Sequence, residues 1–141
     1  MFRPRVLTGI VLSAALFSLM ACDGSIYVTG NAFRLVNGQP GSASRIWVDE
    51  PSSPANVVPL EGVHITLYHS AKYVDRTDDT AMLWRDTTTS GIDGTFHAGS
   101  AAAPGRYESA LRAEKEGCQT VTRSFTHAQS EHTMKIVMVC H

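Results

Sequence analysis

The stretch Val63-His64-Ile65-Thr66-Leu67-Tyr68-His69 decides the fold. Successive side chains of an extended chain point to opposite sides, so Val63, Ile65 and Leu67 share one face and His64, Thr66 and Tyr68 the other. One apolar face and one polar face make a strand packed on a core from one side. The same short periods continue on both sides of it. Downstream, the polar stretch Ala71 to Thr80 interrupts the pattern, and Met82 to Thr89 reads as the next strand, ending in three Thr. Gly91-Ile92-Asp93-Gly94 is a turn, because Gly and Asp tolerate the positive φ that tight turns use. Thr95 to His97 is a short strand, followed by a small-residue loop from Ala98 to Pro104. Arg106 to Ala113 alternates again, with Tyr107, Ser109 and Leu111 inward and Arg106, Glu108 and Arg112 outward. After a charged turn at Glu114 to Gly117, the segments Gln119 to Thr126 and His132 to Cys140 complete the set. Upstream, Ser25 to Phe33 is a first strand. Asn37 to Pro59 is Pro- and Ser-rich and reads mostly as loop, with a short extended piece at Arg45 to Val48. About seven strands in about 120 residues, with no long amphipathic helix after Cys22, predict an all-β sandwich.

The N-terminus carries a different signal. Arg3 and Arg5 precede an uncharged run from Val6 to Met20. A short basic region, an apolar stretch and small residues before a cut site make a secretory signal. The run is shorter than the ~20 residues that cross a bilayer, and an uncleaved signal anchor is the rival reading. Leu19-Met20-Ala21-Cys22 resembles the bacterial lipobox, which implies lipid transfer to the sulfur of Cys22 and cleavage before it. The domain plan is then a signal peptide over 1–21, a lipidated Cys22 and tether over 22–25, and one β-sandwich over 26–141. Asp23 resembles the residue that retains enteric lipoproteins in the inner membrane, against the plainer reading of an acid in a tether.

The chain has 12 basic and 13 acidic residues, and losing Arg3 and Arg5 makes the exported part more acidic. Such a balance gives no attraction to nucleic acid or to anionic lipid. Of the three cysteines, Cys118 and Cys140 remain once Cys22 is assigned to lipid. In an oxidising compartment such a pair becomes a disulfide. Zinc is the rival, with His127, His132 and His141 nearby, but clustered ligand spacing such as Cys-x₂-Cys is absent.

Three motifs then line up with a known family. Pro59-Leu60-Glu61-Gly62-Val63 before the apolar strand, Asp93-Gly94-Thr95-Phe96, and Pro104-Gly105-Arg106-Tyr107 together resemble the carboxypeptidase regulatory-like family. The resemblance spans about Tyr27 to Val139 and implies a transthyretin-like (prealbumin-like) β-sandwich. These motifs are fold determinants: Asp-Gly closes a hairpin, Phe96 enters the core, and Pro-Gly reverses the chain. Two departures stand out, the long segment Asn37 to Pro59 and the widened gap at Lys72 to Leu83. Private function belongs in such insertions, and they hold or adjoin Trp47, Tyr73 and Trp84.

No catalytic constellation is visible. The C-terminal Tyr-Arg-Gly-Ser of 5-hydroxyisourate hydrolases is missing, and the adjacent Tyr68 and His69 point to opposite faces, unlike the iron ligands of intradiol dioxygenases. No Gly-x-Ser-x-Gly elbow exists. Neither a cofactor nor a metal is expected. His64, His97 and His132 are expected to point outward. Asp75, Asp78 and Asp79 invite a calcium reading, but they lack the spacing of a defined calcium loop. The expectation is a non-enzymatic, membrane-anchored domain of the bacterial envelope that binds a protein or glycan through its loops. The alternatives are a carbohydrate-binding module using Trp47 and Trp84, and a hydrolase or metalloenzyme on the same scaffold.

Overall fold

The alternation at Val63–His69 becomes a strand over His64–Tyr68, in which Ile65 and Leu67, with Val63 just ahead of it, have no exposed surface. It is one of nine strands in the computed structural model, which describes residues 25–101, 108–126 and 131–141. In chain order they are β1 (Ser25–Leu35), β2 (Arg45–Val48), β3 (Val57–Pro59), β4 (His64–Tyr68), β5 (Arg85–Thr89), β6 (Thr95–Ala101), β7 (Glu108–Glu114), β8 (Val121–Thr126) and β9 (Glu131–Met138). The signal peptide, Cys22, Asp23, the Pro104–Tyr107 motif and His127 lie outside the described residues.

Two sheets face each other. The larger runs β2-β9-β1-β3, with β6 on the other stretch of the β1 edge, and the smaller runs β5-β4-β7-β8. Only β1 and β9 pair in parallel among these ladders. Between the sheets, Ile26, Val28, Phe96, Met134, Ile136 and Met138 of the larger meet Val63, Ile65, Leu67, Leu111, Ala113 and Phe125 of the smaller. Apolar area removed from water here, at about 25 cal/mol per Å², is what holds the two sheets together.

Both lateral gaps between the sheets are stitched by a side chain on a backbone group. Arg123 Nη1 of β8 donates to the Ile46 carbonyl of β2 at 2.7 Å, and Gly99 N–H of β6 donates to Asp86 Oδ2 of β5 at 2.9 Å. Edge strands otherwise offer unpaired backbone groups to other chains. Far along the molecule, Cys118 and Cys140 are bridged, as expected. The bridge is flanked by Gln119 N–H to Val139 O at 2.8 Å and His141 N–H to Gly117 O at 2.7 Å.

The turn Gly91–Gly94 forms where the sequence places it. Gly94 has φ 81° and its carbonyl accepts from Ala32 N–H at 2.8 Å. A Cβ there would lie 2.4 Å from the Ala32 oxygen. Asp93 Oδ1 accepts from Thr95 Oγ1 at 2.6 Å and from Thr95 N–H at 3.0 Å, and these bonds hold its carboxyl below the usual carboxylate range. Ser90 is buried and closes the neighbouring turn, accepting from Val63 N–H at 2.9 Å and donating to Leu60 O at 2.7 Å.

Several expectations are corrected. The all-β sandwich is as expected, with nine strands among the described residues where about seven were expected, because the segment Asn37–Pro59 contributes β3 as well as the extended piece that is β2. Residues 95–101 form one strand rather than a short strand and a loop, since β6 pairs along β1 from Asn31 to Ser25. The stretch Met82–Thr89 is not one strand. Asp79–Leu83 is a short helix, α1, capped by Asp78, whose Oδ1 accepts from Ala81 N–H at 2.9 Å. That side chain satisfies an N–H that extended chain would have had to pair elsewhere. The strand starts only at Arg85, opposite Tyr68.

The outer face of β4 is more covered than its polar residues suggest: Thr66 and Tyr68 are buried. A 3₁₀ turn, Ala71–Tyr73, lies against β7, and beyond it Asp75 Oδ1 accepts from Arg112 Nη2 at 2.5 Å. That bond keeps the Arg112 guanidinium above its ordinary value. The insertion between β4 and β5 thus folds down as a cover over the smaller sheet.

Candidate functional site: a trough on the larger sheet

The outer face of the larger sheet is built by two alternations. Ile26 and Val28 of β1 point into the core, so Tyr27, Thr29 and Asn31 point out. His132, Met134, Ile136 and Met138 of β9 point in, so Glu131, Thr133 and Lys135 point out. The parallel register puts Tyr27 beside Glu131, Thr29 beside Thr133 and Asn31 beside Lys135. On the other flank β6 sets Gly99 beside Tyr27 and His97 beside Thr29. The result is an open trough of about 700 Å³, floored by Thr29 and Thr133, with Tyr27 and Glu131 at one end.

Its wall is the loop that follows β2. Asp49 has φ 54°, and its N–H donates to Thr133 O at 2.8 Å. Its Oδ1 accepts from Thr133 N–H at 2.8 Å and its Oδ2 lies 2.8 Å from His132 Nδ1. Lys135 Nζ donates to Glu50 O at 2.6 Å and to Ser52 O. One carboxylate and one ammonium therefore fix residues 49–52 to β9 before any ligand arrives.

His132 corrects the expectation that it points outward. Its side chain is 3% exposed, its ring lies 5.0 Å from that of Phe125 in an edge-on contact, and Asp49 supplies the polar partner that makes burial tolerable. Its Nε2 has no hydrogen-bond partner among the described residues. His64 and His97 are exposed, as expected.

The three aromatics singled out from the sequence do not meet. Trp47 lies on β2 opposite Lys135, half-buried, beside a hollow shared with Glu50, Ser52 and Arg123. Trp84 caps α1 on the other sheet, its ring 4.9 Å from that of buried His69. β2 flanks β8 and β5 flanks β6, which places the two Trp at opposite sides of the sandwich. Tyr73 sits in the 3₁₀ turn with Lys72 Nζ 5.0 Å and Arg76 Cζ 5.3 Å from its ring centre. Asp75 and Asp78 are engaged by Arg112 and Arg76, and among the described residues no three His, Cys, Asp or Glu converge as a metal site.

Tyr27, Glu131, Asp49 and Lys135 are not among the residues that the sequence singles out. The alternation Ile-Tyr-Val-Thr held the signal for Tyr27, since an aromatic between two buried aliphatics must face out. Nothing local revealed that Gly99 and Glu131 would be its neighbours.

No family model matches the chain, and no curated protein matches it. Solved structures do. A 3-chlorocatechol 1,2-dioxygenase from Rhodococcus opacus 1CP superposes with a TM-score of 0.51 at 11% identity, over 84% of this chain and 61% of that one. The shaft pilin SpaA from Lactobacillus rhamnosus GG gives 0.48 at 15% identity, over 84% and 51%. The plantain pollen allergen Pla l 1 gives 0.45 at 9% identity, over 82% and 94%. This chain thus spans less than two thirds of the dioxygenase and about half of the pilin. At such identities the likeness to the dioxygenase is one of fold, a two-sheet β-sandwich, and says nothing of activity.

Proposed function

We propose that the chain is a bacterial envelope lipoprotein whose β-sandwich, of the carboxypeptidase regulatory-like kind, is a non-enzymatic binding domain. The observation that carries this is the Cys118–Cys140 bridge. It consumes every cysteine but Cys22, and a bridge of this kind belongs to an oxidising compartment outside the cytoplasm. The remaining thiol sits in Leu19-Met20-Ala21-Cys22, where lipid is the chemistry that the motif implies. Two or three acyl chains, at about 0.8 kcal/mol per buried methylene, hold a domain on a membrane almost permanently.

The binding surface is the trough. Its polar groups fix the wall to the floor, which is preorganisation, and an open, half-polar face on rigid strands suits recognition better than chemistry.

The test is intact mass of protein from its native membrane, with and without reductant. The expected species runs from Cys22 to His141, carries acyl chains, and gains the mass of two hydrogens on reduction. Cys22→Ser is expected to release the protein from the membrane fraction. An uncleaved chain, or an unlipidated one that stays membrane-bound, would overturn the anchor.

A further inference from the structure

We propose that the trough binds a neutral glycan, with one pyranose ring stacked on Tyr27; this deepens the binding-domain reading and rests on it. Tyr27 is 52% exposed, although it sits in the middle of a hydrogen-bonded sheet. Its ring lies across Gly99: a Cβ on that residue would fall 3.0 Å from Cδ1 and 3.1 Å from Cε1 of Tyr27. The ring is therefore seated where its neighbour has no side chain, and what Gly99 does not cover is open to solvent. An aromatic face carries negative charge density. The axial C–H groups of a pyranose are weakly positive and form a flat apolar patch, so the two surfaces match. Holding the ring on a strand removes most of the ordering cost that such a contact otherwise carries.

The rest of the trough supplies what the equatorial hydroxyls of a sugar need. Thr29 and Thr133 present hydroxyls from the floor, and Glu131 and Glu50 present carboxylates at the rim. The volume of about 700 Å³ falls in the range of ~300–1,000 Å³ typical of small-ligand sites.

Charge selects among glycans. Asp49, Glu50 and Glu131 line the trough, and its one ammonium, on Lys135, is already spent on the carbonyls of Glu50 and Ser52. An acidic sugar or a phosphate would enter against a net negative field with no free cation among the described lining residues to receive it. Neutral hexoses and N-acetylhexosamines meet no such barrier. A purely structural role for Tyr27, covering Gly99 to shield the sheet, predicts a stability effect without any sugar binding, and that separates the two readings.

The experiment is calorimetric titration of the full lipidated protein in detergent with cellohexaose, mannohexaose and the hexamer of N-acetylglucosamine, with an oligogalacturonate as the acidic comparator. At least one neutral hexasaccharide is expected to bind and the oligogalacturonate is not. Tyr27→Ala is expected to weaken binding about tenfold, the scale of one aromatic stacking contact, and Tyr27→Phe to keep it within a factor of about three. Thermal unfolding of each variant separates lost binding from lost fold. Gly99→Ala, which displaces the ring while retaining it, is expected to weaken binding as well. Absence of binding by all three neutral probes, equal binding of the oligogalacturonate, or indifference of a folded Tyr27→Ala variant would overturn the proposal. A photocrosslinker at position 27 that captures a protein in native membranes, with no sugar binding, would also overturn it while leaving the envelope binding domain standing.

Discussion

Gly30 shows how tightly the parallel pair at the centre of the larger sheet is drawn together. It lies opposite Met134, and a Cβ at this position would fall 2.0 Å from the Met134 carbonyl oxygen and 3.0 Å from Phe96 Cζ. The first clash is with backbone, which a side-chain rotation cannot relieve. Only a residue without a side chain lets β1 approach β9 here while Phe96 fills the core space below. Gly30→Ala must push β1 off β9 along the ladder that also floors the trough. The expected cost is about 3 kcal/mol, the upper end for forcing an extra methyl into a packed interior. Urea unfolding followed by far-ultraviolet circular dichroism would show it as a lower midpoint with an unchanged slope. An unchanged midpoint would mean that the two strands have slack that this geometry lacks.

Whole elements are positioned by a few long-range polar contacts, and the wall of the trough is the clearest case. Residues 49–52 come from one end of β2, yet what holds them is on β9, more than eighty positions along the chain: Asp49 on His132 and Thr133, and Lys135 on two carbonyls. Asp49→Ala removes the partner of a buried imidazole nitrogen and puts a Cβ-only residue at φ 54°. It is expected to destabilise the domain by roughly 1–3 kcal/mol, the cost of stranding a buried polar group. Asp49→Asn tolerates the same backbone and offers both an acceptor and a donor, so most of that loss should be absent. Equal losses in the two variants, by thermal unfolding, would show that charge rather than hydrogen bonding holds the loop. The same distance along the chain explains what the sequence could and could not disclose. β4 and the Asp93-Gly94 turn are legible because alternation and turn chemistry are local, and the Cys118–Cys140 bridge because only two cysteines remained. The helix Asp79–Leu83 was not, since Met82, Leu83 and Trp84 read equally well as strand until Asp78 is seen capping them. His132 was misplaced because its partner, Asp49, comes from a distant loop. The trough escaped notice for the same reason: Tyr27, Gly99 and Glu131 meet only through strand register, whereas the more conspicuous Trp47 and Trp84 end on different sheets.

At the scale of the molecule, the proposed lipid on Cys22 and the strand directions would together set an orientation. β1 begins at Ser25, three residues after Cys22. Three extended residues reach about 10 Å, so lipid on Cys22 would hold the start of β1 close against the membrane. β1 then runs for 11 residues, about 36 Å at 3.3 Å each. β9 runs parallel to it, with Arg34 beside Met138, so the Cys118–Cys140 bridge lies at the end of the sandwich opposite the start of β1. Tyr27, Thr29 and Glu131 lie at the end where β1 starts, so under the proposed anchor a ligand of the trough would be bound near the membrane surface. A photocrosslinking side chain at Thr29 is therefore expected to label lipid headgroups in native membranes, and one at His141 is not. A flexible Gly/Ser insert of about 15 residues after Gly24, with a root-mean-square span of roughly 20 Å, should reduce labelling at Thr29 severalfold without unfolding the domain. Equal lipid labelling at the two positions in the unextended protein would show that the short tether does not set the orientation. The trough would then have to be reached by ligands from any direction, and its position beside the anchor would carry no meaning.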